Sequence, residues 1–157
     1  MTMEQEILLK ELKHTFNELK KNLKFESDFE QIDRVFFVED LILSRRYISS
    51  DFSRQLRSGM SDIFYSWVNY LQGLLLPSPS NITQMTESKI FSKEERNTIS
   101  EIIKKFLTLT STNNFILLTR EKREEAEFID TAVKTWENYF KPELTKIMKR
   151  INDEWEK

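Results

Sequence analysis

The chain has no cysteine, one histidine, two glycines and three prolines among its 157 residues. Without cysteine there is no disulfide scaffold, no thiol nucleophile and no thiolate zinc site. The glycines, Gly59 and Gly73, both fall inside segments of helical apolar spacing, so no glycine-rich loop is left to cradle a phosphate, and Walker-A and dinucleotide fingerprints are missing. The nucleophile-elbow pattern around a serine is also absent. A Ser-His-Asp arrangement could draw only on His14, which follows Lys13 on the polar side of its segment, away from Leu8 and Leu12. Alanine occurs only as Ala126 and Ala132, so a core must be built from large side chains with generous helix spacing. The net charge of −2 excludes a polycation that seeks nucleic acid with its whole surface. The apolar-rich stretch Ile63 to Leu76 is interrupted by Ser66, Asn69 and Gln72 and stops at Pro77, short of the ~20 residues a bilayer span needs. Met1 to Glu6 carries two acids and no apolar run, unlike a secretory signal, so a cytoplasmic location is the default expectation.

What is present is the composition of a globular domain with a charged surface: 39% hydrophobic and 32% charged residues. The length suits one domain, 1–157, with an N-terminal three-helix half over about 1–76, a polar loop over about 77–91 and a C-terminal half over about 92–157. Scarce turn residues and apolar spacings of three and four predict an all-α bundle of about five amphipathic helices. A Thr2/Gln5 capping box opens the first, over about 3–24, with Leu8, Leu12, Phe16, Leu19 and Leu23 on one face. A Ser27/Glu30 box precedes a second, central helix marked by Phe29, Ile32, Phe36 and Leu43, a short strand from Val35 to Val38 being the alternative. Ser50 or Asp51 caps a third, running from Phe52 through Leu56, Met60, Ile63, Trp67 and Leu71 to Leu74 and ended by Pro77 and Pro79. Gly59 lies on its apolar side, where close approach of a neighbouring helix is expected. Ser92 and Glu95 open a fourth, through Ile99, Ile102, Ile103 and Phe106. Thr108 to Asn114 reads as a helix–helix turn, or as part of a hairpin pairing 106–110 with 115–119. The last helix, about 119–156, is long, and Pro142 is expected to kink it without ending it.

Few residues carry chemistry. Glu11 and His14 have the spacing of a helical di-iron ligand pair, but such sites need two pairs and further inward carboxylates, so no metal or other cofactor is expected. Glu121, Glu124, Glu125, Glu127 and Asp130, interleaved with Arg120, Lys122 and Arg123, suit a solvated helix start. Lys20, Lys21 and Lys24, and likewise Lys146, Lys149 and Arg150, complement helix ends. Trp67, Tyr65 and Tyr70 read as core packing, with a ligand pocket as the alternative. Arg45, Arg46, Arg54 and Arg57 gather within 13 residues opposed locally only by Asp51, which makes them a candidate contact for anions or nucleic acid; pairing with Glu39, Asp40 and acids of other helices is the competing account. Finally, a continuous helix over 119–156 would outrun the bundle, so Phe140, Leu144, Ile147, Ile151 and Trp155 form a candidate interface with a protein partner or a second copy, against the alternative that the helix end folds back on its own core. The sequence therefore predicts a non-catalytic helical interaction or assembly subunit. A nucleic-acid-binding accessory protein using the arginines is the alternative, followed by a sensor of a small ligand, and an enzyme comes last.

Overall fold

The computed structural model describes all 157 residues and contains helices and no strand. The helices are α1 (Met3–Leu23), α2 (Phe29–Phe36), α3 (Val38–Arg45), α4 (Phe52–Leu75), α5 (Ile82–Glu87), α6 (Lys93–Thr119), α7 (Lys122–Thr135) and α8 (Lys141–Trp155), the last two joined without a break by a π-helical turn, Trp136–Phe140. No helix is long and apolar enough to cross a membrane.

The centre is the antiparallel pair α4 and α6. Arg57 and Ser61 of α4 meet Asn113, Phe64 meets Phe106, and the Leu74 carbonyl meets Arg96, so the residue number falls on α6 as it rises on α4. α7 closes against both, and α1 packs on α3, α4 and α7. Large side chains fill the interior, as the shortage of alanine requires. Phe106 stacks face to face on Phe140 at 3.7 Å, and Phe64 lies 5.4 and 5.8 Å from these two rings. A second aromatic group, Phe16 edge-on to Phe25 and Phe29, seals α1 against the α1–α2 connection. All of these belong to one cluster of 33 buried apolar residues drawn from both halves of the chain.

Local chemistry explains the boundaries. The Thr2/Gln5 capping box forms as expected. The second box is shifted by one residue and joins Asp28 to Gln31, because the hydroxyl and N–H of Ser27 are both held by Asp130 of α7. The central second helix is two helices. Phe37 takes a left-handed conformation, φ 52°, and the Asp33 carboxylate accepts the Glu39 N–H on the far side of the break. Asp51 caps α4 by accepting the Arg54 N–H. The approach expected at Gly59 is made by a side chain and not by a helix backbone: a Cβ there would lie 2.8 Å from Leu41 Cδ2, the mobile end of a leucine. Within the segment expected to be a polar loop, Asn81 caps the extra short helix α5.

The largest departure is α6. Neither the turn nor the hairpin expected around Thr108 to Asn114 exists; the helix runs through unbroken to Thr119. The hydroxyls of Thr108, Thr110 and Thr112 donate back to the carbonyls of Lys104, Leu107 and Thr108, which satisfies them within the helix. Packing against α4 then outweighs the modest propensity penalty of β-branched residues.

Candidate functional site

The structure disperses the four arginines. Arg57 is only 2% exposed and sits inside the α4–α6–α7 junction. Its Nε donates to Ser53 Oγ at 3.2 Å, Nη1 to Asn113 Oδ1 at 2.6 Å and Nη2 to Glu125 Oε1 at 2.9 Å. Ser53 Oγ also donates to Glu125 Oε1 at 2.8 Å, and the Asn113 amide donates to Ser61 Oγ at 3.1 Å. Burial lowers the affinity of this guanidinium for its proton, and Glu125 opposes that effect. The network leaves no buried side-chain polar atom without a partner. Arg57 is therefore a structural cation and is withdrawn from any surface contact, the competing account holding at this position.

Arg46 turns toward the start of α1, in a depression shared with Glu4 and Glu11. Arg45 and Arg54 do border a common depression of about 450 Å³, but Asp51 and Asp62 border it as well and balance their charge. The residue that joins Arg54 and Arg57 in space is Arg120, between α6 and α7, across a smaller hollow of about 250 Å³ that also holds Asp51 and Glu125. Sequence proximity could not reveal that neighbour, since it arrives through the antiparallel pairing of α4 and α6.

The other candidate residues separate in the same way. Four of the five acids in and beside the start of α7 each serve a different partner, and the Glu121 side chain makes no capping bond. Glu124 accepts from Thr119, Glu125 pairs with Arg57, Glu127 pairs with Arg123, and Asp130 receives Glu26 N–H, Ser27 N–H and Ser27 Oγ. Burial alone would raise the Asp130 pKa, but these hydrogen bonds and nearby Lys134 outweigh it and hold the carboxyl below its ordinary range. Glu11 and His14 are exposed on α1, and nowhere do three potential metal-binding side chains converge. Tyr70 donates to buried Glu87, Trp67 packs against Tyr70 and Trp136, and Tyr65 stays at the surface, so the three aromatics serve separate purposes. Burial and then the charge of Glu87 push the Tyr70 phenol far up.

The interface expected on the last helix is corrected. Phe140, Leu144, Ile147 and Ile151 are all buried within this chain, and only Trp155 remains 53% exposed. Phe106 and Phe64 cover Phe140, and the end of the segment expected to be a loop, with the residues just after it, holds the far end of α8. Trp155 Nε1 donates to Glu87 Oε1 at 3.0 Å, Arg150 Nη2 reaches the Ile90 carbonyl at 2.9 Å and Glu95, and Phe91 is buried beside them in the core. The last helix runs on through Pro142 without ending, as expected, and a π turn immediately precedes the proline. A regular α turn would set the Pro142 ring against an earlier carbonyl, whereas here the Lys141 N–H bonds to the Trp136 carbonyl in a widened turn that Pro142 follows.

An unpartnered apolar surface does exist, on another helix. Along the outward side of α6, Leu107 is 39% exposed, Phe115 58% and Leu118 84%. Leu107 and Phe115, with Thr108, Ser111 and Thr112 between them, form a broad shallow saddle with Ile103, Lys104 and Ser100, and Leu118 lies beyond it. From Phe106 to Thr119 no side chain is charged, although 32% of the whole chain is. The signal is present in the sequence as that uncharged run. A turn placed within the run hides the fact that its residues share a helix face.

No protein family matches the chain, and neither a curated protein nor a solved structure matches it significantly.

Proposed function

We propose that this chain is a non-catalytic helical interaction subunit and that the outward face of α6 is its docking surface. The carrying observation is the exposure of Leu107, Phe115 and Leu118 on an uncharged helix face. Apolar side chains that cluster at a surface, with small polar residues between them, are better covered than hydrated. Rigid support favours the same reading, because the opposite side of α6 carries Ile99, Ile102, Phe106 and Leu109 into the core and holds the face still. The nucleic-acid alternative loses its main support with Arg57 buried and Arg45 and Arg54 balanced by acids.

The test replaces Leu107, Phe115 and Leu118 together by glutamate. These side chains protrude, so thermal stability should change by no more than about 1–2 kcal/mol for the three changes combined. The wild-type chain, followed by size fractionation both purified and in extracts of cells that produce it, should travel in a larger assembly than the triple variant. Identical monomeric sizes for both proteins in both settings would end the proposal.

A further inference from the structure

We infer that the hollow bordered by Arg54, Arg57 and Arg120 binds a small oxyanion of the phosphate type. It shares no lining residue with the saddle on α6, so this site is independent of the docking face. Arg57 is the one buried residue of its lining. A guanidinium carries five N–H donors. Arg57 spends three, one from each nitrogen, on Ser53, Asn113 and Glu125. Each nitrogen thus has a partner, yet one N–H on each terminal nitrogen meets no protein acceptor. Buried donors are rarely left unanswered, and those of a charged group are costly to leave so. The open space that Arg57 borders is this hollow, and an acceptor held there would complete its hydrogen bonding.

The charge of the acceptor follows from the other lining residues. Of the three arginines only Arg57 is in an ion pair, with Glu125. Arg54, in the first turn of α4, and Arg120, at the end of α6, are exposed cations without one. The two acids of the hollow are engaged already: Glu125 accepts from Arg57 and Ser53, and Asp51 accepts the Arg54 N–H as the cap of α4. Three cations against two acids leave the hollow one positive charge in excess. Arginine forks match the oxygens of phosphate and sulfate. A volume of about 250 Å³ falls below the roughly 300–1,000 Å³ of pockets for drug-sized ligands, so the occupant is small. An anion seated there bridges the start of α4 and the corner between α6 and α7, and binding to the folded chain alone stabilises it by mass action.

The test titrates the purified chain with inorganic phosphate, against chloride at equal ionic strength and neutral pH, and follows both the urea midpoint and the heat of binding. Phosphate should raise the midpoint and bind saturably in the millimolar range. Arg54→Gln and Arg120→Gln, both at exposed positions, should each weaken that binding about tenfold, the loss of one charge-assisted contact. Arg45→Gln, outside the hollow, should leave it unchanged. A wild-type midpoint that phosphate raises no more than chloride does would mean that the hollow holds only water, and the inference fails. It fails equally if all three variants respond to phosphate as the wild type does, because the effect is then one of general screening. A single-stranded oligothymidylate completes the comparison. If it binds, and Arg45→Gln weakens it as much as Arg120→Gln, while phosphate alone does not bind, the arginines act as a nucleic-acid surface and the small-anion site is overturned.

Discussion

Arg57 brings a full charge into the centre of the molecule, where desolvation is costly unless the partner geometry is good. Four helical positions make it so: Ser53 one turn before it, Asn113 on α6, Glu125 on α7 and, through Asn113, Ser61. Removing one member strands the others. Arg57→Met should lower unfolding free energy by up to about 3–5 kcal/mol in urea titrations, because partly buried Glu125 is left without its cation. Adding Glu125→Gln to that variant should recover a large part of the loss, since the stranded charge is then gone. Equal stability of the single and double variants would show that the stranded charge of Glu125 is not what the single substitution costs. In the sequence, Arg57 stands out only as one of four clustered arginines. Its inward direction depends on helix phase: it shares a face with Ser53, Met60, Ser61 and Phe64, and the polar members of that face make sense only once Asn113 is known to lie opposite.

At the scale of elements, the helices were legible wherever apolar spacing and a capping residue agreed, as at Thr2, Asp51 and Ser92. Local patterns mislead where a residue's preference is overridden from a distance. Ser27 looks like a helix cap but is recruited by Asp130, more than one hundred residues away in sequence, and the cap passes to Asp28. The threonines of α6 look like a turn but bond back into their own helix. The Asp130 clasp, which ties the α1–α2 connection to α7, has a pH signature. Its carboxyl is held below its ordinary value of 3.8, so its contribution is complete above that pH and is lost as pH falls through the lower folded-state value. Asp130→Asn should therefore cost about 1–3 kcal/mol at neutral pH, and its stability should fall less than that of the wild type when the pH is taken from 5 to about 2. Parallel acid limbs in a comparison of urea midpoints would remove the carboxylate from that role.

For the whole molecule, the long last helix fits a compact bundle because the segment from Glu87 to Glu95 wraps its end, a use that polar composition did not announce. The all-α class was readable from spacing alone. The surface left uncovered was not, since that depends on which sides of α4, α6 and α7 face one another. The π turn has a further consequence for this arrangement, one of counting. In an α-helix each residue advances the azimuth by about 100°, and a π turn accommodates one residue more than the regular ladder would, setting back everything after it by about that angle. Trp136–Phe140 thus acts as an angular spacer, and the direction of Leu144, Ile147 and Ile151 is set by the number of residues before them as well as by their hydrophobicity. Deleting exposed Asn138 should restore ordinary winding, swing the α8 stripe by about a quarter-turn, pull Trp155 off Glu87 and return Pro142 to a turn that cannot hold it. Helical circular dichroism should survive that deletion, while the melt broadens and an apolar dye binds. A sharp melt at the wild-type temperature would mean that α8 tolerates either azimuth. Natural variants of this chain should on this account exchange residues within the π turn far more readily than they gain or lose one.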